Sequence, residues 1–184
     1  MRYRPSPTEF TVSLWNLNGW TVSNTELKEG IIKATNSDVV CLCETHLKNN
    51  DKITLQDYIF YGHNRQTIHS KARKGSGGVG ICIKNSIRDM FDISVISETY
   101  EGILVVGLHH RVSEFNVTIV LTYLPPESSN WGRDCETFFS NLLSIVYLES
   151  HTDLFVLCGD LNARIGRKVD FINGIDNSTP RQMY

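Results

Sequence analysis

Three short polar turns, each set directly behind an apolar run, gather most of the residues of this chain that could act on a substrate: Trp15-Asn16-Leu17-Asn18-Gly19, Cys43-Glu44-Thr45-His46 and Gly159-Asp160-Leu161-Asn162. A carboxylate that follows a run such as Asp38 to Cys43 is costly to leave unpaired beside a core, so Glu44 requires a cation or hydrogen-bond donors close by. Asp160 stands in the same position behind Leu154 to Cys158. The amides of Asn16 and Asn162 can supply donors. Strand ends hold such groups rigidly, and the loops that follow leave room for a substrate. Any one of these turns alone is an ordinary strand terminus with a polar cap. Together they point to a site built from carboxylates and amides.

The elements that must position these turns follow from periodicity. Thr11 to Trp15 alternates β-branched and apolar residues and predicts a strand entering the first turn. Ser23-Asn24-Thr25-Glu26 has capping-box spacing and predicts a short helix with Leu27, Ile31 and Ile32 as its apolar face. Asp38 to Cys43, nearly all apolar, predicts a strand covered on both faces. Further strands are expected at Tyr58 to Tyr61, Gly78 to Ile83, Ile93 to Ile96, Gly102 to His109 and Phe115 to Leu124, with His63 to Ser76 as a loop. Arg133 to Glu149 sets Phe138, Phe139, Leu142, Leu143 and Val146 at helical spacing. Leu154 to Cys158 then predicts a central strand, and the tail from Arg167 is polar and turn-rich. Strands and helices are mixed along the chain, which suits two facing sheets with helices packed outside them.

At 184 residues, 41% of them hydrophobic, the chain has the composition of one globular domain. A formal net charge of −2 excludes a binder that works by bulk positive charge, so any nucleic-acid contact has to come from a local basic patch. Of the five cysteines, Cys41, Cys43, Cys82 and Cys158 sit in apolar runs, as expected of reduced, buried thiols in an intracellular protein. Cys41-Leu42-Cys43 has no second Cys/His pair at zinc spacing and is assigned to the core. Met1 to Phe10 lacks an apolar stretch, so neither a leader nor a transit helix is expected there. No apolar run approaches the ~20 residues needed to cross a bilayer.

Asn16 in W-N-L-N-G, Glu44 in C-L-C-E-T-H-L, Tyr123 in T-Y-L-P-P, and Asp160 with Asn162 in C-G-D-L-N-A-R resemble, in identity and order, the motifs of the endonuclease/exonuclease/phosphatase superfamily. The E-T-H-L form, with G-S-G-G-V-G-I at Gly75 to Ile81, is most similar to its LINE-type, non-LTR retrotransposon branch. The resemblance covers essentially the whole chain. It implies an α/β fold, the deoxyribonuclease I-like four-layer α/β/β/α sandwich, as one domain over residues 1–184 that is truncated at its C-terminus. The implied reaction is hydrolysis of a DNA phosphodiester by an activated water. Glu44, Asn16 and Asp160 would hold Mg²⁺ or Mn²⁺, hard cations that favour oxygen ligands. Asn16 would also contact the phosphate, Asp160 would position or deprotonate the water, and Asn162 would donate to a non-bridging oxygen as charge builds on phosphorus. Tyr123 would add a further phosphate hydrogen bond. With these motifs in place, the basic stretch becomes the expected contact with the DNA backbone through His63, Arg65, Lys71, Arg73 and Lys74. Gly75 to Gly80 would let that loop approach the duplex or turn tightly into the next strand. Double-stranded DNA and a linked reverse transcriptase are the implied partners, with no membrane, and the nucleus is the implied compartment.

The sequence departs from the family pattern in three places. No Asp-His dipeptide occurs, and none of the six histidines stands where the family's C-terminal histidine is expected, so this chain should bind Mg²⁺ weakly and nick little. Asn18 occupies the position that is Asp in abasic-site endonucleases, which favours the retrotransposon pattern. Pro126 stands where an Asn is often found, and proline has no N–H to offer instead. Two other readings stay open: a phosphatase or lipid phosphodiesterase on the same fold, which would present an apolar or lysine-lined pocket, and an inactive retrotransposon-derived domain that only binds DNA. Missing final strands would also leave a sheet edge unpaired.

Overall fold

The structure, a computed structural model, describes residues 10–66, 75–126, 135–149 and 151–163. Its strands are β1 (Val12–Asn16), β2 (Val39–Cys43), β3 (Tyr58–His63), β4 (Val79–Lys84), β5 (Phe91–Ser97), β6 (Ile103–His110), β7 (Asn116–Tyr123) and β8 (Leu154–Asp160). They form two four-stranded sheets, ordered β1-β2-β4-β3 and β5-β6-β7-β8. Both sheets are mixed: β1 and β2 run parallel, β7 and β8 run parallel, and the other pairs are antiparallel. Parallel neighbours need a crossover, and helices α1 (Thr25–Thr35) and α3 (Cys135–Glu149) supply one each.

The alternation of side chains across each strand sorts the apolar residues into three layers of packing. Val39, Cys41, Cys43, Ile81 and Ile83 face Leu104, Val106, Leu108, Ile119 and Leu121 between the sheets. Their neighbours Val40, Leu42 and Cys82 point the other way and pack with Leu17 and with Ile32 of α1. Ile103, Val105 and Val120 do the same beneath Phe138 and Leu142 of α3. Each fully buried aliphatic side chain contributes roughly 1.5–3 kcal/mol. The result is the α/β/β/α sandwich, with β2 covered on both faces as its composition required. Burial pushes the Cys43 and Cys82 thiols up to about 12, so both are protonated packing groups at neutral pH.

Several local readings are corrected. The Ser23/Glu26 box does not set the start of α1. Instead Asn24 Oδ1 accepts from the Thr21 N–H at 2.9 Å across a 3₁₀ turn, Val22–Asn24, and the helix begins after it. The inward residues of α1 are Lys28 and Ile32, while Leu27 is 68% and Ile31 38% exposed. On α3 only Phe138 and Leu142 are buried, because the helix meets its sheet along a narrow i, i+4 stripe. A short helix, α2 (Asn85–Arg88), has no counterpart among the expected elements. Strand β8, expected to be central, pairs with β7 alone among the described residues, and its Leu157 is half exposed. No helix among the described residues is long and apolar enough to cross a membrane.

Candidate active site

Each parallel strand pair delivers two of the expected site residues to the same end of the sandwich. In the β1/β2 register Asn16 lies beside Cys43, one residue before Glu44, and in the β7/β8 register Tyr123 lies beside Asp160. The two sheets then bring these ends together. Asn16 Nδ2 donates to Asp160 Oδ2 at 2.7 Å and to Glu44 Oε1 at 3.1 Å. The Tyr123 hydroxyl donates to the same Glu44 oxygen at 2.9 Å. One amide therefore spans two carboxylates that come from different sheets.

Tyr123 is buried, and its pKa is raised first by that burial and then by its bond to Glu44. It keeps its proton at neutral pH and acts as a donor. On the other side of Glu44, Oε2 lies 3.6 Å from His46 Nε2. Asp160 Oδ1 accepts the Asn162 N–H at 3.0 Å, while the Asn162 amide nitrogen donates to the Leu124 carbonyl at 2.8 Å. Asn162 thus joins the cluster through its backbone, with φ at 48°.

The turn that carries Glu44 is strained and held from both sides. Glu44 and His46 adopt φ of 52° and 54°, the left-handed region, which costs about 1–3 kcal/mol for a residue with a side chain. Surrounding backbone bonds impose the conformation. Leu17 N–H donates to the Cys43 carbonyl at 2.9 Å, Gly19 to Glu44 at 2.7 Å and Trp20 to Thr45 at 2.8 Å. From the opposite side, the N–H groups of Thr45 and His46 donate to the carbonyls of Gly78 and Gly77 at 3.2 and 2.9 Å. Of the two uses foreseen for Gly75 to Gly80, the structure shows the tight turn. Gly78 has φ of 80°, and a Cβ there would lie 2.6 Å from Thr45 Oγ1.

The expected DNA-contacting set is divided. His63 and Arg65, expected in a loop against the DNA backbone, are only 8% and 7% exposed, and His63 belongs to β3 and not to the loop. His63 closes β3 with Nδ1 on the Ile103 carbonyl at 3.1 Å. Arg65 bonds Ser76 Oγ at 3.3 Å and pairs with Glu101 at 3.7 Å, the partner a buried guanidinium needs. Lys71, Arg73 and Lys74 lie outside the described residues.

The donor chemistry of the cluster fits a hard divalent cation. Glu44 and Asp160 bring two carboxylates against one amide, where like charges oppose each other and a cation would relieve them. No group of three or more His, Cys, Asp and Glu arranged for a metal exists among the described residues. What the cluster offers is two carboxylates and an amide, oxygen donors of the kind a hard divalent cation takes. Sequence reasoning missed His46 and Lys28, the latter donating to two carbonyls of the Asn16 turn.

Comparison with known proteins agrees with this geometry. The Endonuclease/Exonuclease/phosphatase family profile matches residues 14–171. The RNA-directed DNA polymerase from mobile element jockey of Drosophila melanogaster is 27% identical over 153 residues, which are 83% of this chain and 15% of that protein. Among solved structures, the AP endonuclease LMAP from Leishmania major superposes with a TM-score of 0.58 at 18% identity, over 84% of this chain and 55% of that one. The endonuclease domain of TRAS1, a telomere-specific non-LTR retrotransposon, gives 0.57 at 16% identity, over 85% and 60%. At such identities the structures show a shared fold, and this chain spans less than two thirds of each. With the profile running through all three polar turns and the sandwich shared, the chain belongs to the endonuclease/exonuclease/phosphatase family.

Proposed function

We propose that this chain is the endonuclease part of a non-LTR retrotransposon protein, which hydrolyses one phosphodiester of double-stranded DNA and leaves a 3′-hydroxyl for a linked reverse transcriptase, in the nucleus. The observation that carries the reading is the Asn16 amide bridging Glu44 and Asp160, with Tyr123 on the same Glu44 oxygen. The TRAS1 and jockey likenesses support the retrotransposon branch, as does Asn18.

Glu44 and Asp160 would hold Mg²⁺ or Mn²⁺, with Asn16 fixing the two carboxylates against each other. Such a cation supplies Lewis-acid stabilisation of the charge that develops at phosphorus. Asp160, whose Oδ1 accepts the Asn162 N–H, would accept the proton of the attacking water. A non-bridging oxygen would take one of the two Nδ2 hydrogens that Asn16 gives to Glu44 and Asp160, while Asn162, whose amide bonds the Leu124 carbonyl, would act through the backbone N–H it gives to Asp160. Protonated Tyr123 locks the Glu44 rotamer, and its single hydroxyl proton would reach a phosphate oxygen only by leaving Glu44. Lys71, Arg73 and Lys74 would neutralise backbone phosphates, so DNA affinity should fall with added salt.

Incubation of the purified chain with supercoiled plasmid and Mg²⁺ tests this. Conversion to open circles is expected to be slow, because the 184 residues hold no Asp-His pair, and to stop with a chelator. Release of inorganic phosphate from a monoester with the plasmid intact would assign a phosphatase instead. Salt-sensitive DNA binding with neither reaction would assign an inactive DNA-binding domain.

A further inference from the structure

One buried charge has no part in the chemistry above. Lys28 on α1 is 7% exposed, and its Nζ donates to the Leu17 carbonyl at 2.6 Å and to the Gly19 carbonyl at 2.5 Å, 5.8 Å from the centre of the Trp15 ring. Burying an ammonium is costly unless its donors are used, and burial lowers its pKa. An apolar residue four positions before Ile32 would fit the helix face at less cost.

The turn explains why a cation stands there. Asn18 and Gly19 are consecutive left-handed residues, with φ of 47° and 91°. The carbonyls on either side of Asn18, those of Leu17 and Gly19, meet at one point, the Lys28 ammonium. Leu17 and Gly19 are both buried, so these oxygens need a protein donor. The Asn24 amide reaches Gly19 at 3.3 Å, and Leu17 has the ammonium. The same two residues donate their N–H groups to the Cys43 and Glu44 carbonyls, and Asn16 immediately precedes them. A change in the turn therefore reaches both Asn16 and the Glu44 backbone.

We propose that Lys28 is a positioning residue for the cation site: its ammonium fixes the Leu17 and Gly19 carbonyls, which sets the turn so that the Asn16 amide spans Glu44 and Asp160. This rests on the reading of Glu44, Asp160 and Asn16 as that site. Lys28→Met keeps the length and removes the donors. Lys28→Arg keeps charge and donors. Ile32→Val trims the same helix face and the packing around Leu17 but leaves the ammonium and its two carbonyl bonds in place.

Residue-resolved amide hydrogen exchange and Mn²⁺ titration of the whole chain read the outcome. In Lys28→Met, exchange at Leu17, Gly19 and Trp20 should quicken at least ~10-fold against the rest of β1 and β2, and the Mn²⁺ Kd should rise about 10-fold, the scale on which outer-shell groups act on a metal. Lys28→Arg should restore both most of the way, and Ile32→Val should lower the melting temperature while moving neither. Should Lys28→Met fail to fold, Lys28→Gln is judged by the same two readouts. Unchanged exchange in the turn, or equal effects from Ile32→Val, would overturn the proposal. Absence of Mn²⁺ binding by the unmodified chain would overturn the cation-site reading instead, and the exchange measurement would still decide what Lys28 does to the turn.

Discussion

Glu44→Gln is expected to weaken Mn²⁺ binding by about 100-fold or more, beyond the 10–100-fold typical of residues that only support a ligand, while the melting temperature stays at or above that of the unmodified chain. The amide keeps the shape and an oxygen for the Tyr123 hydroxyl, but it lacks the charge a hard cation demands. The stability half of the prediction comes from the same geometry. Glu44 and Asp160 share one amide at 3.1 and 2.7 Å, so removing one charge removes a repulsion. Sites that are poised for function are commonly stabilised by losing the functional group. Calorimetric Mn²⁺ titration and a thermal scan measure both halves. A variant that still binds Mn²⁺ as the parent does would remove Glu44 from the site.

Asp160→Asn should separate chemistry from binding. Loss of a positioned proton acceptor costs about 10²–10⁴-fold in rate, so plasmid nicking should fall to background. Mn²⁺ affinity should fall less than in Glu44→Gln, because the carbonyl oxygen of the substituted amide still accepts from Asn16 or from the Asn162 N–H, as Asp160 does now. Single-turnover nicking at saturating Mg²⁺ compares the two variants. Nicking at the parent rate would show that Asp160 is not the proton acceptor.

Much of this arrangement is legible in the sequence. Apolar runs locate the strands to within a few residues, and the polar residues that end them, Asn16, Glu44, Tyr123 and Asp160, meet as one cluster. Parallel pairing explains the success: it aligns the C-terminal ends of neighbouring strands, so residues that end their strands become neighbours in space.

The failures have physical causes. A helix pattern counts Lys as outward-facing, and only the Leu17 and Gly19 carbonyls, which belong to another element, turn Lys28 inward. Nothing local marks Glu44 and His46 as left-handed, since the conformation is imposed by residues 17–20 and 77–78. Charge alone does not separate an arginine aimed at a phosphate from Arg65 aimed at Glu101. An apolar run such as Leu154 to Cys158 reports burial but not the number of neighbouring strands, so it does not distinguish the middle of a sheet from the position β8 takes beside β7.

The central claim is that Glu44, Asp160 and Asn16 together form a cation site at the end of the sandwich. Crystals of the chain grown with millimolar Mn²⁺, with data collected near the manganese absorption edge, locate the ion without any assay of activity. The account predicts one anomalous peak about 2.1 Å from a Glu44 carboxylate oxygen, the distance typical of a small hard cation, with Asp160 and Asn16 around it. A peak elsewhere, or none while the Asn16 amide still bridges the two carboxylates, would contradict it.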